Sequence, residues 1–220
     1  MAETRLYLAD AAPLADAALF RDLYLRATPA RRAKVDGYRF PKDKRLSLAA
    51  GALLRHALAE AGVLDPAFTR GPQGKPMLAG RNDVHFNLSH AGQRVLCAVS
   101  DQPVGCDVEQ ITDIELEVAR RFFTPAEYAC ILAEAEPQGQ QRMFFRLWTL
   151  KESFMKATGL GMALPLDAFS VDPAVRPVTV KQKVCPGDWH FQEYDPGDGY
   201  LCAVCGRTPR VTGIKTVPLR

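Results

Sequence analysis

Residues 84–109, VHFNLSHAGQRVLCAVSDQPVGCDVE, decide the fold. Three short strand-forming runs follow in quick succession, Val84–Leu88, Arg94–Val99 and Val104–Glu109, with Asp101-Gln102-Pro103 as the turn between the last two. Outward toward the N-terminus, residues 42–62 read as a helix. Leu46, Ala50, Leu53, Leu54, Ala57, Leu58 and Ala61 recur at three- and four-residue steps, and Gly62 ends the run. Two further helices are expected near 14–26 and 29–36, the second with Thr28 as N-cap and Pro29 at its first position. Arg5–Leu8 alternates as an opening strand, and residues 70–82 are a turn-rich loop carrying Lys75.

Outward toward the C-terminus, Thr124-Pro125-Ala126-Glu127 is a capping-box start for a helix to about residue 135. Gln140–Thr158 forms a longer helix, stopped by Gly159 and Gly161. Strands are expected at 168–172, 177–184, 189–194, 199–205 and 211–215. Both halves therefore read as helices plus an antiparallel sheet. The expected fold is α+β, two lobes over residues 1–103 and 104–220, joined near 101–104.

With 220 residues, 47% apolar and 24% charged, the chain is long enough for a sizeable core and ordinary for a globular protein. No run approaches the roughly 18 apolar residues of a membrane span, and the start lacks a signal-peptide pattern. Six scattered cysteines, Cys202-x-x-Cys205 among them, are expected to be reduced core residues, which fits a cytoplasmic chain. Net charge of +3 gives no case for nucleic acid, but its distribution is uneven. Residues 1–103 carry 15 basic and 10 acidic side chains, residues 104–220 carry 13 and 15. A basic patch around Arg31, Arg32, Lys34 and Arg45 and an acidic run from Asp107 to Glu117 suit a phosphate-rich ligand and a metal, or two solvated faces.

Asp107 and Glu109 are i, i+2 on a strand and project from one face. Such a pair suits Mg²⁺, which takes one or two carboxylates and completes its shell with water and substrate phosphates. Alternating acids on an exposed strand are equally compatible with a wet face. Glu152 and Lys156, four apart on a helix, share a face and could meet a metal and a phosphate, or form a surface ion pair. Ser89 and His90 leave a strand end where a hydroxyl and an imidazole can reach a phosphate. Gly159-Leu160-Gly161 follows a helix and lacks a third glycine, so it is no dinucleotide fingerprint.

Five stretches in order, Gly74-Lys75-Pro76, Phe86-Asn87-Leu88-Ser89-His90, Val104-Gly105-Cys106-Asp107-Val108-Glu109, Phe122-Phe123-Thr124-Pro125-Ala126-Glu127 and Trp148 to Gly159, resemble the 4′-phosphopantetheinyl transferases of the two-lobed, surfactin-synthetase-activating type. The resemblance covers about residues 30–165. Where that family usually has isoleucine, this chain has Cys106. The resemblance implies two similar α/β lobes with pseudo-two-fold symmetry and an active site between them. It implies transfer of the phosphopantetheine arm from coenzyme A to a serine of an apo acyl or peptidyl carrier protein, releasing adenosine 3′,5′-bisphosphate; two complete halves in one chain suggest a monomer. Asp107, Glu109 and Glu152 would hold Mg²⁺, with Glu152 and Lys156 catalytic. Lys151 and Lys156 would neutralise phosphate, and Arg45, Lys75, Ser89 and His90 would bind the nucleotide end. Arg120, Arg121 and Phe123, on the segment after the strand of acids, would dock an acidic carrier, or Phe122 and Phe123 are core and the arginines solvated. Two other functions are compatible with the same residues: a metal-dependent phosphodiesterase or nuclease, and a non-catalytic coenzyme A-binding adaptor.

Overall fold

A computed structural model describes residues 3–71 and 73–219; Pro72, inside the expected loop 70–82, lies outside the described residues. β1 (Thr4–Asp10) leads into α1 (Ala17–Leu25), α2 (Pro29–Asp36) and α3 (Pro41–Glu60). A short hairpin, β2 (Phe68–Arg70) and β3 (Pro76–Leu78), precedes β4 (His85–Ala91) and β5 (Arg94–Ser100). The chain then runs through the same order again. β6 (Val104–Gln110) leads into α4 (Leu116–Phe122), α5 (Pro125–Leu132) and α6 (Pro137–Thr158), the hairpin β7 (Ser170–Asp172) and β8 (Thr179–Lys181), then β9 (His190–Gly197) and β10 (Tyr200–Gly206). The strands pair antiparallel in matching order, β1-β5-β4 in one sheet and β6-β10-β9 in the other.

β11 (Val211–Thr216) stands outside this repeat. It runs parallel beside β1, so the first sheet is β11-β1-β5-β4 and draws on both ends of the chain. A single division after residue 103 puts this strand in the wrong sheet. Burial explains its return, because Val217 and Leu219 just beyond it fill the core under α3. Lys215 also pairs with Glu60 at the end of α3.

Alternation along each strand sorts its side chains between two cores. Tyr7 and Ala9 of β1 and Val95, Cys97 and Val99 of β5 pack on α3. Leu6, Leu8, Leu96 and Ala98 face the other way, against Val104, Cys106, Val108, Cys202 and Val204 of the second sheet. Leu201, Ala203 and Cys205 pack on α6. The layers are therefore helix, sheet, sheet, helix. Both faces of each sheet are covered, which is why β5 is apolar almost throughout. Cys202 and Cys205 fall on opposite faces of β10, both buried and unpaired.

Local chemistry sets the helix ends. The helix expected over 14–26 is divided: Ala12–Ala15 forms a 3₁₀ turn, and Asp16 caps α1 by accepting from the Ala18 and Leu19 amides. Thr124 and Glu127 form the expected capping box of α5. α6 ends at Gly159, which adopts the left-handed conformation a side chain would oppose. The expected loop 70–82 carries β3, which pairs with β2 at the loop's start; Leu78 in the first core and Phe68 against Phe86 anchor the ladder.

Candidate active site

The site lies at the seam where edge strands β4 and β6 meet beneath the C-terminal half of α6. Asn87 on β4 accepts the Cys106 amide through Oδ1 at 2.8 Å and so sews the two edges together. Gly105 brings α6 down onto β6. A Cβ there would lie 2.1 Å from the Ser153 carbonyl oxygen and 2.3 Å from the Ala157 amide, so only glycine admits the helix. That approach sets Lys156 against Asp107. The Lys156 ammonium donates to Asp107 Oδ1 at 2.5 Å and to Ser89 Oγ at 3.1 Å, and the Ser89 hydroxyl donates to the same Oδ1 at 2.7 Å.

Asp107 is not on a wet face: it is 2% exposed. Its second oxygen, Oδ2, is buried without a hydrogen-bond partner, a costly state for a carboxylate. Burial raises the Asp107 pKa, while Lys156 and Ser89 pull it down. Glu109, half-buried, is pushed up to about 7 by burial, then by Asp107 and Glu152, with Lys156 pulling the other way. Glu152 is raised by burial, Lys156 opposing, with Asp107 adding to the rise. Burial lowers Lys156, but the Asp107 charge and hydrogen bond outweigh it and the net direction is up. Three carboxylates thus crowd one ammonium. Among the described residues no three His, Cys, Asp or Glu side chains are arranged to hold a metal as they stand. The donor chemistry nevertheless fits a hard divalent cation: an orphaned carboxylate oxygen and two further carboxylates resisting their own charge.

His90 lies at the exposed end of β4. Its pKa is lowered by desolvation and by Lys156 and Lys34, while Asp43 opposes. Lys34 in turn is lowered by desolvation and by Arg31 and Arg70. Two cations, Lys156 and Lys34, therefore act on His90, and Arg31 and Arg70 act in turn on Lys34. Arg32 instead acts on Tyr24, which is bonded to Asp36. Lys34 and Arg31 were undivided among the basic residues in the sequence; helix rotation separates them from Arg32. Arg70 had no sequence signal. Asn87 did: it shares a strand face with Ser89.

Six expected residues lie outside this cluster. Lys151 is 0% exposed and donates to Glu127 Oε1 at 2.6 Å and to the Phe169 carbonyl at 2.7 Å. It has no surface to offer a phosphate. Phe123 is 4% exposed, packed on Phe144 and Trp148, and so cannot dock a carrier; Phe122 beside it is exposed. Arg120 and Arg121 are also exposed, near Glu117 and over the Phe122 ring respectively. Arg45 lines a separate cavity of about 550 Å³ with Lys42, Gly92, Gln110 and Tyr200, which includes none of Ser89, His90, Asp107, Glu152 or Lys156. The Lys75 ammonium is taken up by two backbone carbonyls, Val104 at 2.9 Å and Lys156 at 2.6 Å. Beside it a second cavity, about 330 Å³, is lined by Pro76, His85, Phe86 and Ala157.

Two family descriptions match in tandem: "4'-phosphopantetheinyl transferase, N-terminal" over residues 20–102 and "4'-phosphopantetheinyl transferase superfamily" over 103–205. The chain is 35% identical over 186 residues to 4'-phosphopantetheinyl transferase Sfp of Bacillus subtilis, covering 83% of each chain. It is 31% identical to 4'-phosphopantetheinyl transferase HetI of Nostoc over 84% of this chain and 80% of that one. L-aminoadipate-semialdehyde dehydrogenase-phosphopantetheinyl transferase of Xenopus laevis matches at 29% identity over 70% of this chain and 55% of that one.

Proposed function

The chain belongs to the 4′-phosphopantetheinyl transferase family, and from that footing we propose that it moves the phosphopantetheine arm of coenzyme A onto a serine hydroxyl of an apo carrier protein. One observation carries the reading into this site: Asp107, Glu109, Glu152 and Lys156 converge at the β4–β6 seam, with Asp107 Oδ2 left without a partner.

Asp107, Glu109 and Glu152 would hold Mg²⁺. When bound, the metal would offset charge on the pyrophosphate. Lys156 offers its ammonium to the phosphate being transferred, and Ser89 and His90 with Lys34 and Arg31 receive the nucleotide end. Glu152 takes the proton of the acceptor serine as its oxygen bonds to phosphorus. The phosphorus–oxygen bond to the nucleotide breaks, and adenosine 3′,5′-bisphosphate leaves. Carrier docking is assigned to Arg120, Arg121 and exposed Phe122 on α4, which follows the strand of acids. We take the enzyme to act as a monomer in the cytoplasm, where its six thiols stay reduced. Among the described residues no helix is long and apolar enough to cross a membrane.

Fluorescent coenzyme A with an apo carrier protein tests the reading. Covalent labelling of the carrier that stops with a chelator and returns with Mg²⁺ is the expected result. Release of nucleotide without labelling would favour a phosphodiesterase, and binding without either would favour an adaptor.

A further inference from the structure

We propose that Lys75 is a positioning residue: from the turn of the β2–β3 hairpin it fixes the last turn of α6, and with it Lys156. The last four carbonyls of a helix have no partner within it. In α6 these belong to Met155, Lys156, Ala157 and Thr158. The Thr158 hydroxyl donates to Met155 O. Lys156 O receives the Lys75 ammonium at 2.6 Å, and the same ammonium donates to Val104 O, the first residue of β6, at 2.9 Å. One side chain therefore ties the helix that carries Lys156 to the strand that carries Asp107. A cation at a helix C-terminus is also favoured by the helix dipole.

The turn that presents Lys75 is built for this reach. Gly71 N donates to Lys75 O and Gly74 N to Gly71 O, both at 2.9 Å, and Gly74 takes a φ of +77°. Burial lowers the Lys75 pKa to about 8, and the neighbouring Lys156 ammonium pushes the same way. A phosphate-binding lysine is poorly served by such a place, whereas a donor to two carbonyls works there charged or neutral. The consequence for Lys156 rests on the transferase reading of this site; the strut itself does not.

The test uses the full chain with Lys75→Met and Lys75→Arg. Amide hydrogen exchange over residues 153–160 should quicken about tenfold or more in Lys75→Met, as expected for a locally freed helix end. With carrier and coenzyme A, kcat should fall about tenfold or more while KM for coenzyme A stays within about twofold, because a small misplacement of a reacting group costs rate rather than ground-state binding. Lys75→Arg, which keeps donors for both carbonyls, should recover part of both. Should Lys75→Met fail to fold, Lys75→Gln reads the same quantities. Unchanged exchange at 153–160 overturns the strut, and so does a raised KM with kcat intact, which would make Lys75 a phosphate ligand. A wild-type protein that loads no carrier would sink the transferase reading instead, leaving exchange to judge the strut.

Discussion

Glu109 gives the site a pH signature. Its ordinary value near 4.5 is raised to about 7 in the folded protein, by burial first and then by Asp107 and Glu152. Between those limits the folded chain binds more protons than the unfolded one, so stability falls as pH rises from about 4.5 through 7. The full shift corresponds to about 3 kcal/mol as an upper bound. Glu109→Gln should shrink the difference between urea melts at pH 5 and pH 8 by about 1–3 kcal/mol. At pH 8, Mg²⁺ should stabilise the wild type more than the variant. An undiminished pH difference in Glu109→Gln would show that this carboxylate is not the strained one. Residue spacing exposed much of the site. The i, i+2 rule placed Asp107 with Glu109, and the i, i+4 rule placed Glu152 with Lys156. The same helical period argues against Lys151, since five residues from Lys156 is about 140° around the axis. The depth of Asp107 was not legible, because it depends on α6 lying directly over Gly105.

At the scale of elements, α6 is held from two sides. Inside its own half, Glu127 gathers four bonds. Oε1 accepts from Lys151 at 2.6 Å and the Val171 amide at 2.8 Å, and Oε2 accepts from the Thr124 amide and hydroxyl, both at 2.9 Å. Lys151 and Glu127 are 0% and 1% exposed, so neither charge has water to fall back on. Lys151→Met should therefore cost about 3–5 kcal/mol in chemical denaturation, because it strands a buried carboxylate. Lys151→Met with Glu127→Leu should recover part of that loss, tempered by the Thr124 and Val171 groups left unpaired. A double variant no more stable than the single would argue that the pair contributes through packing alone. On the other side, Gly105→Ala should displace α6 rather than fit beneath it. We expect a kcat loss on the order of a hundredfold from the moved Lys156, read with fluorescent coenzyme A and a carrier. The capping box and the Gly159 stop were readable as local chemistry. The close approach of α6 to β6 that makes Gly105 indispensable is a tertiary fact.

At the scale of the whole molecule, the repeat of strand, three helices, hairpin and two strands was foreshadowed only as two similar α+β halves. The two halves share no residue pattern that would show it in the sequence. β11 was readable as a strand but not as a partner of β1, since parallel pairing across some 200 residues leaves no local trace. These two features govern how the molecule comes apart. The halves meet through an apolar layer, Leu6, Leu8, Leu96 and Ala98 against Val104, Cys106, Val108 and Val204, rather than through a wet interface. Arg94 adds a polar rim, bonding Asp198 at 2.6 Å while lying over the Tyr200 ring. Fully burying side chains of this kind contributes about 1.5–3 kcal/mol each, so neither sheet is stable with that face exposed. Calorimetry should therefore show one unfolding transition, with the calorimetric enthalpy close to the van't Hoff value. A fragment of residues 1–103 lacks β11, Val217 and Leu219 as well as its facing sheet, and should be poorly soluble and unfolded by circular dichroism. Two separated transitions, or a folded and soluble 1–103 fragment, would mean that the halves are independent domains and that the seam holding Asp107 to Ser89 can open without global unfolding.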